Sequence, residues 1–293
     1  MIEIREGSSL YYSMLWLDAD SKVRLVNRLS LIDALATTLD DAHEPTVAQQ
    51  KIHWWHEELD RMQAGKARHP ATQLCQDCLA GNEAAKDVCI SLLSSVATER
   101  LTPLETEEDS NALILQNFQA RMALTSHALS REACDLAGES HPSISAMAFG
   151  LHERLARLPR LIHRGFPVFS NELYEQFNIG PTELSRHIRV SSAAKDGPPA
   201  TTLSNIPIAV ENPNRNALLT YATNRAAEAL NNAVSSDLVI ERYRQQPFMP
   251  VWRLLILRQH LLKLWRRRQP DLLRERLTLT PLAKLYRVWK HRH

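Results

Sequence analysis

Apolar residues recur along this chain at spacings of three and four, the period of a helix that buries one face. In SKVRLVNRLSLIDALATTL, Leu25, Leu29, Ile32, Ala36 and Leu39 keep that spacing, with Asp20 or Ser21 placed to cap the helix start. TVAQQKIHWWHEELDRMQAG predicts a second helix, capped by Thr46 behind Pro45 and closed near Gly65. Two helices joined so closely are expected to pack antiparallel. Further helical segments follow in HPATQLCQDCLAG, NEAAKDVCISLLSSVATERL, the run 108–137, and SISAMAFGLHERLARLPRLIHRG. The pattern breaks over residues 188–214, where Pro198, Pro199, Pro207 and Pro213 stand among serine, threonine and asparagine; this stretch reads as a long mobile loop. Helical pattern resumes with NALLTYATNRAAEALNNAV, continues through VWRLLILRQHLLKLWRRR and ends with TPLAKLYRVWKHRH.

Composition agrees with an all-α reading. Only 8 glycines occur in 293 residues, and 44% of the chain is hydrophobic against 23% charged, an ordinary globular mixture. The expectation is one helical domain over residues 1–293, with no sheet and with a central apolar cavity. No run of about 18 apolar residues occurs, and MIEIREGSSL has neither a basic n-region nor an apolar h-region, so a cytoplasmic protein is expected.

Charge is unevenly spread. Residues 251–293 hold 12 Lys and Arg and 2 acidic residues, a net of +10; the overall +2 therefore leaves −8 on the first 250. The basic helical C-terminal region, 247–293, is expected to meet an anionic membrane face or an acidic protein partner, which would place the protein peripherally at the inner face of a membrane. No nucleic-acid reading motif accompanies the charge, and nucleic acid is not expected as a partner.

Other chemistry has little support. The CQDC pair, Cys75 and Cys78, lacks the second pair of a zinc site and reads as small core residues on a helix. His53 and Glu57 are i and i+4, but they read as the exposed face of a helix whose Trp54 and Trp55 are buried. No Gly-rich phosphate loop or nucleophile elbow occurs.

The order of elements is distinctive. SSLYYSMLWL, then HWWHEELDRMQAGKARHP, and later GLHERLARLPRLIHRGFPVFSNELYEQFNIG together resemble the squalene/phytoene synthase family of head-to-head prenyltransferases, well over residues 8–180. The resemblance implies a helical isoprenoid-synthase bundle in which Mg²⁺, held between two aspartate-rich helices, neutralises a departing diphosphate. In this chain the first motif, Asp-Asp-x-x-Asp in the family, falls on Thr37, Thr38, Leu39, Asp40 and Asp41, with only Asp41 kept in register. The second, Asp-x-x-x-Asp, falls on RLPRL, so that Arg157 and Leu161 stand at the aspartate positions and Arg160 between them. These departures resemble the family's non-catalytic branch, which includes a mitochondrial assembly factor for respiratory complex I, and ERLTLTPLAKLYRVWKHR also looks like that branch. The resemblance therefore implies no catalytic residues, no resident metal and no cofactor, and a role in binding an isoprenoid, a lipid or a protein partner. The alternative is an active, Mg²⁺-using transferase that condenses prenyl diphosphates.

Two groups remain as ligand-binding candidates. Arg157, Arg160 and Arg164 share about 60° of a helical wheel; they form either a metal-independent clamp for a phosphate or diphosphate, or a solvated basic face opposite the apolar stripe of Leu151, Leu155, Leu158 and Ile162. Ser8, Ser9 and Tyr11 match a family position near the diphosphate pocket, and also read as ordinary capping sequence.

Overall fold

The computed structural model describes residues 4–42, 44–130, 142–184, 212–244, 247–268, 273 and 278–291. Among them it contains twelve helices and no strand, as the periodicity predicts: α1 (Ser9–Ser13), α2 (Ala19–Ala36), α3 (Pro45–Gln63), α4 (Pro70–Leu79), α5 (Glu83–Leu101), α6 (Glu107–Leu129), α7 (Ser143–His163), α8 (Asn171–Gln176), α9 (Pro213–Ser235), α10 (Asp237–Tyr243), α11 (Met249–Arg268) and α12 (Pro281–Lys290).

Local chemistry sets the boundaries. The Asp18 carboxylate, rather than Asp20 or Ser21, caps α2 by accepting the Ser21 N–H at 2.8 Å. Helix α3 starts at Pro45 behind Glu44, so Thr46 lies inside the first turn instead of capping it; Pro is suited to this position because its missing N–H would have no helical partner there. It ends where Gly65 takes φ +71°, a left-handed conformation that carries little penalty without a Cβ. Thr106 and Asp109 form a reciprocal capping box at α6.

Two apolar clusters share α6. One joins α2 to α5 through Leu31, Leu35, Leu59, Met62, Leu79, Leu92 and Leu93; the other packs α7, α9 and α11 around Leu155, Leu158, Leu218, Leu230 and Leu255. Helix α6 serves both because Leu124 faces the first and Met122 the second. Gly150 lets α7 approach α6 closely, since a Cβ there would overlap Ile114 and Phe118.

Between α1, α2, α6, α7 and α11 lies a cavity of about 150 Å³ with apolar walls from Leu25, Ile32, Phe118, Met122, Phe149 and Leu254. Its polar edge is formed by Arg121, Glu153 and Arg258.

The stretch expected to be a mobile loop, 188–214, lies outside the described residues except for its end. Asn212 caps α9, and Pro213 and Asn214 belong to its first turn. The basic C-terminal region is not a uniform solvated surface. In α11, Arg253 is buried and donates to the carbonyls of Ser13 and His291, while Trp252, Leu255, Leu262 and Trp265 are core residues. Lys284 of α12 is also buried and donates to the Gly7 carbonyl at 2.6 Å.

Candidate functional site

Helix α2 ends at Ala36, with Thr37 as its C-cap, and residues 37–41 continue as turns. Both threonines are spent on this turn. The Thr37 hydroxyl donates to the Asp33 carbonyl at 2.8 Å, and that of Thr38 accepts the Trp55 indole N–H at 2.6 Å. Buried Leu39 anchors the turn from below. The chain then places Asp40, only 2% exposed, at the end of α7.

Four guanidinium groups surround that carboxylate. Arg157 reaches both oxygens at 3.2 Å, Arg160 approaches at 2.9 Å and Arg164 at 3.6 Å, all from one face of α7. Arg100, near the end of α5, approaches at 3.1 Å and is 5% exposed. Arg164 also donates to the Asp40 carbonyl at 2.7 Å and pairs with Asp41 at 3.0 Å. Four cations and two carboxylates leave this group with a net of +2.

The network continues inward. Arg154 pairs with Glu99 at 2.9 Å, and Arg258 with Glu153 at 3.4 Å. Burial would raise the Glu99 carboxyl's pKa, but Arg154, Arg100 and Arg157 outweigh it and hold it below the ordinary value. Burial lowers the pKa of Arg100, Arg121 and Arg258, in each case against the opposing pull of a nearby carboxylate.

The structure thus brings Arg157, Arg160 and Arg164 together, with Leu161 buried behind them. Of the two carboxylates in the first motif, Asp40 rather than Asp41 enters the cluster. Asp40 occupies the site, whereas Asp41 is 77% exposed and touches Arg164 alone among the arginines. Nor are the arginines a purely solvated face: only Arg160, at 52%, is largely exposed. Ser8 caps α1 by accepting the Tyr11 N–H, and neither these two nor Ser9 lines the cavity or meets the arginines. Leu10 and Ser13 of the same helix line the cavity instead. Arg100 was not legible as a site residue, because it lies on a separate helix with no motif around it.

HWWHEELDRMQAGKARHPATQ has a structural explanation. Glu58, fully buried on α3, accepts hydrogen bonds from the N–H groups of Arg68 and His69 and from the Thr72 hydroxyl, and pairs with Arg61 at 2.9 Å. One carboxylate therefore fixes the α3–α4 connection. Burial would raise its pKa, but these bonds to His69, Thr72, Arg61 and Arg68 prevail and bring it down to about 2. Trp55 is buried as expected, whereas Trp54 is 40% exposed. His53 and Glu57 form an exposed pair at 3.3 Å.

A family model described as squalene/phytoene synthase matches residues 5–196. The chain belongs to the squalene/phytoene synthase family. The crystal structure of a dehydrosqualene synthase in complex with ligand has the same fold, with a TM-score of 0.67 at 11% identity over 97% of this chain and 90% of that one. No curated protein matches the sequence.

A magnesium cage of the family's kind does not fit the residues present here. Mg²⁺ requires octahedral oxygen ligands at about 2.0–2.1 Å. Asp40 is already ion-paired with four guanidinium groups, and the facing positions of α7 are Arg157 and Leu161. A divalent cation entering this site would meet cations.

Proposed function

We propose that this squalene/phytoene synthase-family chain does not carry out Mg²⁺-dependent prenyl transfer and instead binds a lipid or isoprenoid, with phosphate-type headgroup recognition by arginine. The observation that carries the reading is the convergence of Arg100, Arg157, Arg160 and Arg164 on the single carboxylate of Asp40. Guanidinium groups bind phosphate oxygens through paired charge-assisted hydrogen bonds and need no metal. Arg160, the most exposed of the four, can leave Asp40 for an incoming anion at little cost, because an exposed ion pair contributes only about 0–1 kcal/mol.

The cavity limits how much chain could enter. At about 150 Å³ it falls below the roughly 300–1,000 Å³ of pockets that enclose small-molecule ligands. Head-to-head condensation needs room for two prenyl chains side by side, whereas one inserted chain segment makes a smaller demand.

A membrane surface is the favoured setting, because α12 exposes Leu282, Leu285, Tyr286 and Trp289 at successive helical spacings. Arg287 and Lys290 flank this apolar stripe, and the exposed Arg266, Arg267 and Arg268 end α11. An apolar face with a cationic border fits an anionic lipid interface.

Equilibrium binding of geranylgeranyl diphosphate with Mg²⁺ and with excess chelator tests the headgroup reading. Affinity should be unchanged by chelation and should fall in Arg157→Gln/Arg160→Gln. Loss of binding on chelation would instead favour a metal cage and the active-transferase alternative.

A further inference from the structure

A second cationic site lies on the other side of α2, away from the Asp40 cluster. Arg28 is 1% exposed, yet among the described residues no carboxylate pairs with it. Its Nη2 donates to the Cys78 sulfur at 3.4 Å and approaches Nδ1 of His127 at 3.2 Å. Its Nε and Nη1 are buried without a hydrogen-bond partner. A buried, permanently charged group with two idle donors is costly unless an anion completes it.

The surroundings are shaped to supply one. Arg28 lines a cavity of about 630 Å³ together with Arg24, Cys78, Asn82, Glu83 and His127. Arg24, one turn before Arg28, donates Nε to the Ala128 carbonyl at 3.2 Å and Nη2 to the Ser21 hydroxyl at 2.8 Å, and it has no carboxylate partner among the described residues. Gly81, Asn82 and Glu83 bring the N-terminus of the 19-residue α5 to the same cavity. The Asn82 side chain accepts the Ala85 N–H at 3.0 Å, which leaves the earlier N–H groups of that turn and the positive dipole end to favour an anion. The Glu83 carboxylate on the rim is turned toward Lys86, 3.8 Å away.

We propose that Arg24, Arg28 and the N-terminus of α5 form a second, metal-independent anion site for a phosphate-type oxyanion. The cavity has room for a phosphate ester rather than the inorganic ion alone. The site does not depend on the proposed function, since it shares no residue with the Asp40 cluster.

Titration calorimetry of the full chain with inorganic phosphate and with glycerol phosphate tests it, with sedimentation of phosphatidate vesicles as the lipid arm. Saturable binding of either soluble probe supports a free phosphate ester, and binding to the vesicles alone supports a lipid headgroup. In an Arg157→Gln/Arg160→Gln background, which removes binding at the Asp40 cluster, Arg28→Met should weaken binding at least about tenfold, the loss expected for a charge-assisted hydrogen bond, while Lys66→Gln, at an exposed position, leaves it unchanged. A readout that does not require a variant at Arg28 is protection of Cys78, the exposed thiol on the cavity wall, in a Cys134→Ser chain. Phosphate should slow its reaction with a thiol reagent. No binding of any probe, retention of full affinity by Arg28→Met, or unprotected Cys78 would overturn the proposal.

Discussion

Replacing Asp40 by Ala should be more damaging than replacing any exposed arginine around it. The four ion pairs are unequal. Arg160 is 52% exposed, and Arg164 and Arg157 are 26% and 19% exposed, so each can turn part of its guanidinium to water once the carboxylate is gone. Arg100 at 5% cannot, and its Nε is already buried without a partner. Removing one member of a buried pair costs about 3–5 kcal/mol because the other charge is left uncompensated, whereas exposed pairs contribute about 0–1 kcal/mol. Glu99 still opposes the Arg100 charge, so Asp40→Ala should lose less than the roughly 3–5 kcal/mol of a fully stranded charge but more than Arg160→Ala, which should lose at most about 1 kcal/mol. The double variant Asp40→Ala/Arg100→Met should recover much of the loss, since no buried charge is then stranded. Urea denaturation followed by circular dichroism measures all three. If Asp40→Ala is as stable as the parent, or if the two changes add without recovery, Asp40 is not the counter-charge that holds this cluster together.

Two further outcomes concern pH and the membrane. Burial, reinforced by Arg258, holds His152 well below its ordinary pKa of 6.5, so the unfolded chain takes up a proton first; its contribution is complete above pH 6.5 and is lost as pH falls below that value. Glu58, brought from 4.5 to about 2, loses its contribution as pH falls between those values, so thermal stability should decline in an upper and a lower acid range, with a slope of up to about 1.4 kcal/mol per pH unit for each group. His152→Phe should shrink the upper decline, to which His69, His260 and His291, whose pKa values burial also lowers, contribute. For α12, phosphatidylserine-containing vesicles should retain the protein at 0.1 M salt and release it at 1 M, as the Debye length falls from about 10 to about 3 Å, and Leu285→Ala/Trp289→Ala should bind less; equal partitioning to neutral vesicles would remove the electrostatic part of the account.

The helices were legible because burial of one face leaves a periodic trace, as in Leu25, Leu29 and Ile32. The reversal of charge at Arg157 was legible for a similar reason, since it sits on one long helix inside a recognisable block. Which of the first motif's two carboxylates turns inward was not. Helix α2 stops at Ala36, and the turn that follows rotates Asp40 inward and Asp41 outward, a change of one residue that helical spacing cannot anticipate. Arg100 and Arg28 were hidden because their significance lies in what surrounds them: the first needs Asp40, sixty residues away, and the second stands out by its buried Nε and Nη1, which have no hydrogen-bond partner. The basic tail misled in part, because net charge does not distinguish a solvated lysine from Lys284 bound to a buried carbonyl.

The most direct test of the central claim is a diphosphate-release assay with farnesyl and geranylgeranyl diphosphate in the presence of Mg²⁺. If Arg157, Arg160 and Arg164 have replaced the metal cage, release should not exceed the rate without protein, and Arg157→Asp/Leu161→Asp alone should not restore it while Thr37 and Thr38 remain bound to Asp33 and Trp55. Mg²⁺-dependent release by the unaltered chain, abolished by chelation, would contradict the account.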